Sequence, residues 1–284
     1  MSHAPQKTPA FDFGQSAELA TIRDRLLGLF GPQGDEIRLD PISQFIRSFL
    51  GSQTYDQVSW DAFAALVRHY QDWNKLADAS PQDLAARIST VTYFEDKARD
   101  LLPALRRIRA YGGTLDLAFL RDWPVDEALR WLEMSQGVGR KIAAATLNFS
   151  SLRKRAFVAD THVIRVLARF GFVKPNADGL AVYDVVMAAA GDFDADALYE
   201  LHWLLKYLGQ NICSHARADC RACPLEAACM KRINKTSSWP GLTRPPSKTA
   251  SAVAKESLSR ADAPRLDGRL KGGHDDGKQT VQPI

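Results

Sequence analysis

The sequence predicts an all-α fold, and three observations carry that reading. Apolar residues recur at spacings of three and four, as in the stripe Leu198, Leu201, Leu205, Leu208 and Ile212. Helix-start signals precede apolar runs, as at Pro124-Val125-Asp126-Glu127, where proline and acids suit a first turn. Strand signal, the strict alternation of apolar and polar residues, is scarce.

Taken in order, residues 1–14 hold two prolines and little apolar pattern, and read as a loose lead-in. Ala17–Phe30 is a predicted helix with Leu19, Ile22, Leu26 and Leu27 on one face. Short helices follow over Ile42–Leu50, Val58–Tyr70, Pro81–Ile88, Phe94–Tyr111, Leu115–Leu120, Pro124–Met134 and Arg140–Phe149. Pro103 inside the fourth of these implies a bend or a break. The last three are Thr161–Phe170, Asp178–Ala190 and Asp194–Ile212. After residue 233 the composition changes to five prolines, five glycines and one aromatic, Trp239. Too few apolar groups remain there to offset chain entropy, so residues 234–284 read as a disordered basic tail.

At 284 residues and 45% hydrophobic, the chain can bury one sizeable core or two lobes. Nine of the 37 Lys/Arg and five of the 33 Asp/Glu lie after residue 233, leaving 28 of each sign before it. Any basic face on the folded part must therefore come from local clustering. No window approaches the run of about 18 apolar residues that spans a bilayer. The first residues lack the apolar core of a signal peptide. All four cysteines fall within 213–229, which points to a metal centre more than a disulfide framework. These features together read as a cytosolic protein.

The chain is organised around Gly137-Val138-Gly139-Arg140-Lys141, with Asp160 further on. A glycine turn between two predicted helices makes a helix-hairpin-helix. Its backbone can approach a partner closely, and the N–H groups opening the second helix suit an anion. By residue type alone, an ordinary tight turn between core helices is the better reading, because turns use glycine everywhere. Lys141 falls in the first turn of the second helix, where the dipole and partial burial disfavour the ammonium. A free lysine is neutral only roughly once in two thousand at pH 7. Such placement suits a nucleophilic or Schiff-base lysine, although by residue type alone a solvated lysine, or one gripping phosphate, is the better reading. Asp160 precedes Thr161-His162-Val163-Ile164-Arg165-Val166-Leu167 and reads as a helix N-cap. A capping carboxylate is also ionised and fixed in direction, able to stabilise developing positive charge. Cys213-x6-Cys220-x2-Cys223-x5-Cys229 places four thiolates in one loop, suited to tetrahedral zinc or a cubane iron–sulfur cluster. Pro224 would stiffen that loop. Arg217, Arg221, Lys231 and Arg232 against Asp219 and Glu226 make it locally basic.

From about residue 40 to 230 the chain resembles the endonuclease III family of helix-hairpin-helix DNA glycosylases. Gly137-Val138-Gly139-Arg140-Lys141 matches that family's hairpin and lysine. Val158-Ala159-Asp160-Thr161-His162 resembles its Val-Asp-Thr-His strip, and the cysteine spacing is that of its [4Fe-4S] loop. Ser135-Gln136 departs from the family's Leu-Pro before the first glycine, and Ile142 stands where threonine is frequent. Ser52-Gln53-Thr54 resembles the loop whose glutamine enters the duplex beside an extruded nucleotide, with Gln53 on that glutamine.

The resemblance implies two helical lobes flanking a DNA-binding groove. Residues 39–153 would form the six-helix hairpin lobe, and 1–38 with 154–233 the cluster lobe. Lys141 and Asp160 would be the catalytic pair. Gln53, Gly137, Val138, Gly139 and Arg140 would touch DNA, and the four cysteines would hold a [4Fe-4S] cluster. The implied activity is removal of damaged, oxidised pyrimidines from double-stranded DNA through a lysine Schiff base, with β-elimination at the abasic site. The reading is of a monomer, cytoplasmic and nucleoid-associated when bound to DNA. The basic tail would add salt-sensitive DNA affinity or be a solvated extension.

Other readings remain. A monofunctional adenine glycosylase would need a glutamate where Ser48 stands, and would lack the lysine. A cluster-bearing DNA-binding protein without catalysis has no need of both Lys141 and Asp160. A zinc-stabilised helical regulator would make the hairpin and aspartate motifs coincidences.

Overall fold

The computed structural model describes residues 13–34 and 38–231. The expectations for the lead-in and for the tail, 234–284, lie outside the described residues. Within them the protein is all-α, with eleven α-helices. These are α1 (Phe13–Phe30), α2 (Pro41–Leu50), α3 (Asp56–Tyr70), α4 (Trp73–Asp78), α5 (Pro81–Arg87), α6 (Phe94–Gly112), α7 (Val125–Glu133), α8 (Arg140–Asn148), α9 (Thr161–Phe170), α10 (Gly179–Ala189) and α11 (Ala195–Asn211). The described residues contain no strand, only isolated bridges joining Leu39 to Ser150 and Cys213 to Ala218. No described helix is long and apolar enough to cross a membrane.

Local chemistry sets the helix starts. Asp40 caps α2 through Ser43 N–H, and Ser80 caps α5 through Asp83 N–H, each followed by proline at the first helical position. Asp178 and Asp194 cap α10 and α11 in the same way.

Helix α8 is the centre of the packing. Every residue from Ile142 to Asn148 is buried. The helix packs chiefly against α2 and α7 and also touches α10 and α11. Helices α2 to α6 pack among themselves; α1 lies on α10 and α11, and α11 lies on α9. The chain passes between these groups at the Leu39–Ser150 bridge, where Ser151 N–H donates to Leu39 C=O at 2.8 Å. The predicted stripe of α11 is core: Leu198, Leu201 and Leu205 are fully buried, and Leu208 and Ile212 nearly so.

Three expectations change. Leu115–Leu120 is not an α-helix; a 3-10 turn over Ala118–Asp122 takes its place. Helix α4 was not anticipated, because six residues are too few to display a period, although Asp72 caps it through Asn74 N–H. Pro103 does not break α6, which runs continuously through it. Leu101, Leu102, Ala104 and Leu105 are buried on both sides of the proline, and their packing outweighs one lost backbone hydrogen bond.

Docking of α1 onto α11 includes a charge. Glu200 is 7% exposed. It accepts from Arg23 Nη2 and from Gln33 N–H, the latter at 3.2 Å. Removing one partner of such a pair leaves a buried charge uncompensated, whereas removing both is far milder. Arg23→Met should therefore destabilise the protein by about 2–4 kcal/mol, and Arg23→Met with Glu200→Leu should recover most of the loss. Urea midpoints of the single and double variants measure both.

Candidate functional site

The hairpin between α7 and α8 is held from beneath. Ser135 is buried, and its Oγ accepts from Arg107 Nε at 3.0 Å. Arg107 also donates to Trp131 C=O at 2.6 Å and lies over the Trp131 ring at 4.0 Å. Ser135-Gln136 thus gives a supported turn, closed by Val138 N–H donating to Ser135 C=O at 3.1 Å. Gln136 is exposed and Val138 points into the core.

The two glycines differ in what they do. Gly137 has φ +77°, and a Cβ there would stand 2.9 Å from Phe49 Cζ and 3.2 Å from Asp100 Cβ. Gly139 has φ −98°, which any residue adopts, and a Cβ there would meet nothing within 4 Å. Gly139 is the N-cap of α8, and no side chain caps that helix. Its exposed face therefore offers open space in front of a positive helix end. The Arg140 guanidinium is engaged within the chain. It pairs with Glu133 at 2.5 Å across the turn and lies over the Tyr183 ring at 4.6 Å.

Lys141 follows in the first turn of α8. It is partly buried, and its ammonium makes no hydrogen bond or ion pair among the described residues. Burial pushes its pKa down to about 8, with the charges of Lys206 and Arg47 adding to the effect and those of Asp160 and Asp56 opposing it. Asp160 is the N-cap of α9, its Oδ1 accepting from His162 N–H and Val163 N–H, both at 2.9 Å. Burial works against its charge; the neighbouring His202 and Lys206, with the Val163 N–H, outweigh burial and hold the carboxyl below its ordinary value. His202 is itself buried, and burial depresses its pKa. Its Nδ1 lies 2.7 Å from Val158 C=O, an acceptor only, so Nδ1 carries the proton. At neutral pH the carboxylate of this coupled pair is charged and the imidazole is not.

Two residues that sequence reasoning passed over complete the surroundings of Lys141. Lys206 on α11 pairs with Asp56 on α3 at 2.8 Å, and Gln210 Nε2 donates to the other Asp56 oxygen at 3.1 Å. Asp56 and Lys206 are 150 positions apart, and only the fold shows them as partners. A signal existed in His202 and Lys206, two polar residues one helical turn apart on an apolar helix.

Gln53 is exposed and has φ +52°, in the left-handed region. Its loop lies at the C-terminus of α2. Lys97 of α6 binds this loop from inside, donating to Leu50 C=O at 2.8 Å, Ser52 C=O at 2.5 Å and Thr54 Oγ1 at 2.9 Å.

Cys213, Cys220, Cys223 and Cys229 are free, half-buried and line a single cavity with Arg169 and Lys231. Burial pushes the Cys223 thiol up to about 11, and the charges of the other three cysteines push in the same direction. Four thiolates facing one space repel one another until a cation joins them, so the donor set suits a metal-containing group. Among the described residues no three His, Cys, Asp or Glu converge tightly enough to hold a single ion. Arg169 Nη1 approaches Cys213 Sγ at 3.5 Å, and Lys231 N–H approaches Cys229 Sγ at 3.3 Å. Arg217 and Arg221 are exposed, Lys231 pairs with Glu226 at 2.9 Å, and Arg232 lies outside the described residues.

The turn between α7 and α8 is thus a helix-hairpin-helix with an open helix start and an unpaired lysine, within the field of a rigid carboxylate. Residues 46–185 match the family described as "HhH-GPD superfamily base excision DNA repair protein", and the chain is endonuclease III-like. It is 30% identical over 191 residues to DEMETER-like protein 2 of Arabidopsis thaliana, covering 62% of this chain but 13% of that relative. It is 27% identical over 191 residues to Endonuclease III of Thermotoga maritima, covering 67% of this chain and 83% of that protein. Its fold matches a trapped endonuclease III–DNA covalent intermediate with a TM-score of 0.63 at 21% identity, over 76% of this chain and 96% of the other. It also matches a thermostable thymine-DNA glycosylase with a TM-score of 0.62 at 15% identity, over 77% and 98%.

The glycines give a paired prediction. Gly137→Ala should destabilise by about 1–3 kcal/mol, through left-handed strain and the contact with Phe49, whereas Gly139→Ala should change stability by less than about 0.5 kcal/mol. Chemical denaturation of both variants, run side by side, reads the difference.

Proposed function

We propose that the protein is a base-excision DNA glycosylase with abasic-site lyase activity, acting on damaged pyrimidines in double-stranded DNA. The observation that carries this reading is Lys141, an amine with no partner and a pKa near 8, at the open start of α8 within the field of the fixed carboxylate of Asp160. The amine needs only modest deprotonation to become a nucleophile.

In this reading a damaged nucleotide leaves the stack and enters the space between the two groups of helices, and Gln53 fills the gap it leaves. Lys141 Nζ attacks C1′, the C1′–N bond breaks, and the base departs with its electron pair and takes up a proton. Asp160 stabilises the positive charge that develops on the sugar. It can hold that role because two backbone N–H groups fix its direction. Opening of the sugar ring gives a protonated Schiff base on Lys141. Loss of a C2′ proton then expels the 3′ phosphate, cutting the strand 3′ to the lesion. The open N-terminus of α8, with the backbone N–H groups of Gly139 and Arg140, would receive a phosphate. Because the Arg140 guanidinium is tied to Glu133 and Tyr183, its contribution to DNA binding is assigned to the backbone.

The four cysteines would hold a [4Fe-4S] cluster, whose contribution when bound is to fix their loop and its basic residues against a phosphate strand. Four thiols lining one cavity, at the spacing of the family's cluster loop, support the cluster over zinc. The division into a hairpin lobe, 39–153, and a cluster lobe built from 1–38 and 154–233 belongs to the same reading. The adenine-glycosylase alternative finds no acid on α2. Ser48 is buried there and accepts from Gln44 Nε2 at 2.9 Å.

Borohydride trapping on duplexes carrying an oxidised pyrimidine or an abasic site tests the chemistry. A covalent adduct should form with wild type and disappear in Lys141→Ala. No adduct with wild type, alongside intact duplex binding, would leave a DNA-binding protein without catalysis. The sign of the pH dependence follows from the depressed pKa: the single-turnover rate should climb as pH rises to about 8 and level off above it. Lys206→Gln removes a cation from that environment and should move the midpoint upward. Purified protein should contain iron and acid-labile sulfide, and Cys220→Ala should lower iron content and folding yield together; stoichiometric zinc in a colourless preparation would overturn the cluster assignment.

A further inference from the structure

We propose that Lys97 is the positioning residue for Gln53, so that nucleotide extrusion depends on an ammonium that takes no part in the chemistry. The inference rests on the reading of Gln53 as the side chain that enters the duplex.

Lys97 sits in the first turn of α6 and is 7% exposed. Its three donors meet three oxygens of one loop, on residues 50, 52 and 54. No carboxylate pairs with it among the described residues. A buried ammonium is an expensive way to stabilise a fold, since an apolar residue of similar volume is usually as good or better. Stability alone therefore does not account for a lysine here. Geometry does. The contacts alternate along the loop: two hold backbone carbonyls before Gln53, and the third holds the Thr54 side chain after it.

Gln53 has φ +52°, which costs a residue with a side chain about 1–2 kcal/mol. Anchoring of Ser52 C=O and Thr54 Oγ1 toward the interior holds that strained turn and leaves the glutamine side chain exposed. Leu50 C=O is the last carbonyl of α2, so the same ammonium also satisfies the negative end of that helix. Burial and the charge of Lys141 bring the Lys97 pKa down to about 8, which leaves it mainly cationic at neutral pH.

The placement also sets a distance between two loops. Gly137 of the hairpin packs against Phe49, next to the loop, and against Asp100, one turn beyond Lys97 on α6. The hairpin and the Gln53 loop are thus both referenced to the start of α6. A shift of the loop would separate Gln53 from the strand that the hairpin grips.

The test uses a duplex with a central tetrahydrofuran abasic analogue and 2-aminopurine opposite it, whose fluorescence rises when the site is unstacked. At saturating wild-type protein the signal should rise. Lys97→Met, with duplex affinity kept within about threefold, should lose most of the rise, as Gln53→Ala does. The double variant should lose no more than either single one, because both act through one side chain. If Lys97→Met fails to fold by far-UV circular dichroism, Thr54→Val, which removes one oxygen and leaves the buried lysine, should give a partial loss. A wild-type rise in Lys97→Met (or in Thr54→Val, where that variant is needed), or losses that add in the double variant, would overturn the proposal; so would the absence of any rise with wild type. Trapping by wild type decides Lys141 separately, since the fluorescence comparison needs binding and no bond cleavage.

Discussion

The structure depends on placing a cation at the start of a helix that is buried from Ile142 to Asn148. A helix so enclosed cannot be moved without disturbing α2, α7, α10 and α11 together, so its first turn is held as firmly as the core. That rigidity has an electrostatic consequence. Lys141 has no counter-ion bonded to it, and it sits at a positive helix end within the field of the Lys206 ammonium. The nearby carboxylates, Asp160 and Asp56, are committed elsewhere, one to backbone N–H groups and the other to Lys206 and Gln210. Burial, aided by Lys206 and Arg47, therefore prevails over the two carboxylates and holds the amine's pKa near 8, well below that of a free lysine.

Much of this arrangement was legible in the sequence because it is local. A period of three and four marked the core stripe of α11. Asp160 could be read as a cap because its partners, the N–H groups of His162 and Val163, lie two and three residues away. Gly137 and the cysteines announced themselves by residue type and spacing. The equivalence of the two hairpin glycines did not hold. Only Gly137 needs its missing Cβ, and the reason lies in Phe49 and Asp100, distant in the chain.

Long-range partnerships stayed hidden. Ser135 looked like a defect in the hairpin, and Arg107 turns it into a buried support. The partners of the Arg140 guanidinium, Glu133 and the Tyr183 ring, are likewise not marked by any local pattern. Lys97 resembles any other lysine on a helix until the loop at 50–54 is brought to it, and the spacing of Lys206 from His202 marks it without naming Asp56 as its partner. Polar groups inside a fold take their meaning from what they face, and no period or spacing encodes that.

The bridge between Leu39 and Ser150 gives the molecule a mechanical character. The chain leaves one group of helices and returns to it through two neighbouring strands of backbone, pinned by a hydrogen bond of 2.8 Å from Ser151 to Leu39. The bridge ties the segment before α2 to the residues after α8, so neither of these two packed helices can shift at that end without carrying the other with it.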